Sequence, residues 1–96
     1  MVWIKTISAQ DADADLKHCF EQVYALYPPE YAVEVPAVRR SDGSADSITE
    51  AHSLIPAALL HGMATCGVLL SPQLPLSRRQ HEMIATVVSA LNRCFY

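Results

Sequence analysis

The run LIPAALLHGMATCGVLL, Leu54 to Leu70, offers almost no polar face at any helical angle, so a fold containing it must cover a helix that has no solvent side. It falls short of the roughly 20 apolar residues that a bilayer core requires, and Pro56, His61 and two glycines interrupt it, so it reads as a buried helix and not a membrane span. Proline suits a first helical turn, which places this helix at residues 56–70. Gly62 and Gly67 leave room on it for a close neighbour. In a chain of 96 residues, 51% of them hydrophobic, there is more apolar side chain than one small domain readily buries. An oligomer is therefore expected.

The other segments also read as helices. DADADLKHCFEQVYALY, residues 11–27, opens with three aspartates where a helix N-terminus favours negative charge, then spaces Leu16, Phe20, Val23, Tyr24 and Tyr27 at helical intervals. Three prolines and an SDG turn signal make residues 28–44 an irregular connection, longer than most loops. SITE at Ser47–Glu50 has the form of a capping box and starts a short helix over 47–53. SRRQ at Ser77–Gln80 is a second such box, opening a helix over 77–92 whose stripe is Met83, Ile84, Val87, Val88 and Leu91. No segment alternates with period two, so the fold class is all-α.

Several functions are disfavoured by composition. The formal charge is −3 and the arginines stand in two isolated pairs, Arg39–Arg40 and Arg78–Arg79, which does not suit a nucleic-acid binder. The N-terminus MVWIKTISAQ lacks the pattern of a secretory signal, and three cysteines at irregular spacing fit reduced thiols better than a disulfide framework, so a cytoplasmic location is expected. Cys19 and Cys66 fall on apolar helix faces and read as inert core thiols. His52, His61 and His81 lack paired ligand spacing, so helix or core histidines are expected, with no metal and no cofactor.

Opposite the stripe of the last helix lie Glu82, Thr86, Ser89 and Arg93, flanked by Ala85 and Ala90. Such a small-residue face is either exposed filler or the seat of a following helix that brings chemistry towards Glu82. The sequence then closes on NRCFY.

At RRQHEMIATVVSALNRCFY the sequence resembles the alkylhydroperoxidase (AhpD-like) and carboxymuconolactone decarboxylase superfamily, in particular its peroxidase-related branch. WIKTIS, YPPEYA, AHSLIPAALLHGMAT and LPLSRRQHEMIA follow in the order that branch shows, so the resemblance covers nearly the whole chain. In that family a glutamate stands twelve positions before the first cysteine of a Cys-x-x-Cys motif, and Glu82 and Cys94 have this separation. The resemblance implies a single AhpD-like helical domain over residues 1–96, incomplete at its C-terminus, with the second cysteine and a histidine of the motif lying beyond Tyr96.

It further implies a thiol peroxidase in which Cys94 attacks a peroxide, becomes a sulfenic acid and is resolved as a disulfide, with Glu82 in a proton relay. Peroxide is the implied substrate, a dithiol or lipoylated protein the implied reductant, and a homo-oligomer the implied assembly. On one straight helix Glu82 and Cys94 would stand about 18 Å apart, too far for direct proton transfer, so a helix break near Asn92 is expected. Tyr96, inside the motif, reads as a substrate-site residue or a packing aromatic. Tyr27 and Tyr31 read as loop anchors or as the border of a substrate entrance. Two alternatives stand beside the peroxidase: a non-catalytic helical interaction module, and a lactone-decarboxylating lyase, against which the presence of Cys94 weighs.

Overall fold

A computed structural model describes residues 3–32, 36 and 47–94. Among these residues four α-helices follow in order: α1 Ala14–Ala25, α2 Ser47–Ala51, α3 Pro56–Leu69 and α4 Arg78–Leu91, with a 3-10 turn at Pro29–Ala32. No strand occurs among the described residues, so the all-α expectation holds. None of their helices is long and apolar enough to cross a membrane.

Local chemistry sets the ends of these helices. The Asp13 carboxylate caps α1 by accepting the Leu16 N–H at 2.9 Å, so the helix begins three residues later than the aspartate run suggests. Asp11 belongs instead to a turn in which the Ser8 hydroxyl donates to its carboxylate at 2.9 Å. At the other end Pro28 and Pro29 disfavour helical backbone before them, and the chain leaves through 3-10-type bonds from Leu26 N–H to Val23 O and from Tyr27 N–H to Tyr24 O. Pro56 occupies the first turn of α3. At α4 the Ser77 hydroxyl accepts the Gln80 N–H at 3.3 Å while the Gln80 side chain accepts the Ser77 N–H at 2.8 Å, a complete capping box. The short helix α2 begins at Ser47 as expected, whereas the SDG turn lies outside the described residues.

The core forms between α1 and α3. Leu16, Phe20 and Val23, one side of α1, pack with Ala12 and with Leu59 of α3, and Ile7, Cys19, Tyr27, Leu60 and Met63 close around them. Gly67 permits close passage of the two helices: a Cβ there would stand 2.7 Å from the Leu26 Cβ. Gly62 has no such role, since nothing lies within 4 Å of a Cβ built on it. α2 is tied in by polar groups, with the buried Ser53 hydroxyl accepting the Ile7 N–H at 2.7 Å and the buried Thr49 hydroxyl 3.4 Å from that of Tyr24.

Burial departs from the sequence reading in three places. α3 is not enclosed: it buries only Leu59 and Gly67 fully, while Val68 and Leu69 are each 61% exposed, because α1 covers one side of it alone. The apolar stripe of α4 faces outward, with Met83, Ile84, Val87, Val88 and Leu91 all at least half exposed. Its helical periodicity is real, but among the described residues no helix is packed on that stripe. Cys66 is exposed and is no core thiol, whereas Cys19 is half-buried against the core as expected.

Candidate functional site

Glu82 sits in the second turn of α4 at the focus of a small polar cluster. Its Oε1 lies 2.8 Å from Arg78 Nη2, one turn earlier, and accepts a hydrogen bond from the Tyr31 hydroxyl at 3.1 Å. The Arg78 guanidinium in turn lies 4.6 Å from the centre of the Tyr31 ring, within cation–π range. The contact between Arg78 and Glu82 is an ion pair without an aligned hydrogen bond, since neither Nη1 nor Nη2 has a hydrogen-bond partner. Helix stability does not explain Arg78: a cation in a first turn opposes the helix dipole, and Arg before Glu is the weaker order for a pair four residues apart. Its placement follows instead from contact with Tyr31 and Glu82.

Tyr31 reaches this position through a ladder of rings. Phe20 in the core stacks on Tyr24 at 6.5 Å, Tyr24 meets Tyr27 edge-on at 5.5 Å, and Tyr27 meets Tyr31 edge-on at 6.1 Å. The loop-anchor reading of Tyr27 and Tyr31 thus has a physical form: both rings carry the chain from α1 into the 3-10 turn. Partial burial, reinforced by the hydrogen bond to Glu82, raises the Tyr31 pKa above 10.0, with the Arg78 charge opposing the shift. Tyr31 therefore remains a neutral donor to the carboxylate.

From Glu82 a shallow cavity of about 430 Å³ runs along α4, lined by Ala85, Thr86, Ser89 and Ala90 and reaching Cys94. The small-residue face therefore joins the two candidate catalytic residues in one open groove. Thr86 turns its hydroxyl back to the Glu82 carbonyl at 2.7 Å, which leaves the groove floor low in polar donors.

α4 ends near Asn92, where a break is expected. Asn92 caps α4, Arg93 takes a left-handed backbone with φ 53°, and the N–H groups of Arg93 and Cys94 close on the carbonyls of Ala90 at 3.1 Å and Ser89 at 2.9 Å. This is a Schellman motif, with arginine where glycine is usual. Cys94 is exposed, and among the described residues its sulfur has no hydrogen-bond partner. Tyr96 lies outside the described residues.

The histidines differ from one another. His52 is exposed, with Nδ1 2.7 Å from the Ile48 carbonyl, and His61 is exposed on α3. His81 is the one buried residue of α4, 8% exposed, and neither ring nitrogen has a partner among the described residues. Sequence pattern gave no sign of this, because His81 sits one position before Glu82 on what reads as a polar face. Among the described residues no group of three potential ligands is arranged to hold a metal ion.

No family model, curated protein or solved structure matches this chain.

Proposed function

We propose that the chain carries the glutamate and the peroxide-reacting cysteine of an AhpD-like thiol peroxidase. The observation supporting this reading is the groove that Glu82 and Cys94 share across the helix break. The Cys94 thiolate attacks one oxygen of a hydroperoxide, an S–O bond forms as the O–O bond breaks, and the departing alkoxide takes a proton to leave as an alcohol. The resulting sulfenic acid then condenses with a second thiol, releasing water and forming a disulfide. Cys19 packs beside the core between α1 and α3 and Cys66 lies on α3, so neither lines the Cys94 groove, and the resolving thiol is assigned to a dithiol reductant or to a cysteine outside these residues. Glu82, pinned by Tyr31 and Arg78, supplies the fixed carboxylate of the proton relay.

The test is single-turnover oxidation. Treatment with one equivalent of an alkyl hydroperoxide, followed by a sulfenic-acid trap and peptide mass analysis, is expected to label Cys94. Absence of label at Cys94, with peroxide left unconsumed, contradicts the reading.

A second reading, the helical interaction module, is favoured by a different observation: the outward stripe of α4 from Met83 to Leu91. Five apolar side chains on one exposed helix face are what a partner helix buries, and a second copy of this chain is the proposed occupant, giving the homo-oligomer. Sedimentation of the native chain against Val87→Glu separates the outcomes: a multimer dissociated by the charge supports this reading, and a monomer in both contradicts it.

A further inference from the structure

Glu82 and Cys94 are the two titratable residues that line the groove along α4, with only small side chains between them. The Glu82 carboxylate is held by one oxygen. Tyr31 donates to Oε1 at 3.1 Å and Arg78 Nη2 stands 2.8 Å from the same atom, whereas Oε2 accepts no hydrogen bond among the described residues. Thr86 does not compete for it, because its hydroxyl is spent on the Glu82 carbonyl. A half-exposed glutamate ordinarily samples several rotamers, and a relay carboxylate has to keep one. Arg78 alone is a poor clamp, since it shares the helix with Glu82 and makes no aligned hydrogen bond to it. Tyr31 arrives from outside α4, 51 residues away, with its ring fixed edge-on by Tyr27 and covered by the Arg78 guanidinium.

We propose that the Tyr31 hydroxyl is a positioning residue for Cys94 oxidation, holding Glu82 Oε1 so that Oε2 is the oxygen that exchanges the proton, a role that rests on the peroxidase reading of Cys94 and Glu82. In the step it serves, the S–O bond forms as the O–O bond breaks. The proton lost from Cys94 Sγ passes by way of Oε2 to the departing alkoxide, through the water that an open groove admits. The products are a sulfenic acid and an alcohol, and the carboxylate ends as it began. Tyr31 gives up no proton and touches neither the sulfur nor the peroxide. Its raised pKa keeps the hydroxyl a donor throughout.

A double-mutant cycle separates this role from loop anchoring, because Tyr31→Phe keeps the ring and removes only the hydroxyl. The rate of sulfenic-acid formation at Cys94 with an alkyl hydroperoxide near neutral pH is measured in the native chain, Tyr31→Phe, Glu82→Gln and the double variant. Each rate is divided by that of the exposed Cys66 in the same molecule. Tyr31→Phe is expected to slow Cys94 about threefold in the native background and to change nothing in Glu82→Gln, where no carboxylate is left to position. An equal loss in both backgrounds is the mark of a purely structural tyrosine. That result, or no loss from Tyr31→Phe where Glu82→Gln does slow the reaction, overturns the positioning role and leaves the peroxidase reading standing. An unchanged rate in Glu82→Gln itself overturns both.

Discussion

The Tyr31 hydroxyl donates to Glu82 Oε1 at 3.1 Å across a separation of 51 residues, joining the 3-10 turn after α1 to the second turn of α4. Tyr31→Phe keeps the stacked ring and removes this bond. Both groups are about half exposed, so the loss after solvent screening is expected to stay under about 1 kcal/mol. Its signature lies in alkali. Because the folded-state pKa is raised, the bond's contribution is complete below pH 10.0 and disappears as pH climbs through the higher folded value. Denaturant melts taken at rising pH should show an alkaline loss in the native chain that is smaller in Tyr31→Phe; identical profiles count against the bond.

The two glycines of α3 form an internal control. Gly67→Ala drives a methyl group to within 2.7 Å of the Leu26 Cβ and is expected to destabilise by about 1–3 kcal/mol. Gly62→Ala meets nothing within 4 Å and is expected to stabilise by up to about 1 kcal/mol through helix propensity. Urea unfolding of both variants checks the opposite signs.

Arg93 holds a left-handed backbone that costs an L-residue about 1–2 kcal/mol. Arg93→Gly should recover roughly half of that or more and leave the Ser89–Cys94 closure intact. A higher denaturation midpoint with unchanged slope is the expected result; a lower midpoint means the arginine makes a compensating contact.

What could be read from the sequence was the local chemistry. The Ser77–Gln80 box, the position of Pro56 and the break at Asn92 each depend on a few neighbouring residues, and all three stand where the residue types place them. The Asp13 cap shows the limit even there, since three aspartates in alternation offer three starts and only backbone geometry selects one. Burial was less legible. Periodicity marks the α4 stripe as one face but says nothing of which element covers it, and the equal spacing signals of Gly62 and Gly67 conceal that only Gly67 meets α1. The candidate site divides in the same way. Glu82 and Cys94 were singled out by a family resemblance, whereas the Tyr31 contacts with Glu82 and Arg78, and the burial of His81, arise from parts of the chain that local pattern does not join.

Cys94 shares a groove with Glu82, and the exposed Cys66 offers a comparison within the same molecule. Competitive oxidation by a limiting alkyl hydroperoxide, with sulfenic acid quantified at each cysteine in the native chain and in Glu82→Gln, tests the effect of that groove most directly. Cys94 is expected to be oxidised in preference by at least about tenfold, below the roughly 10²–10⁴-fold range of a fully assembled acid–base group, and to lose that preference in Glu82→Gln. Equal oxidation of Cys66 and Cys94 in the native chain, or a preference that survives Glu82→Gln, would contradict it.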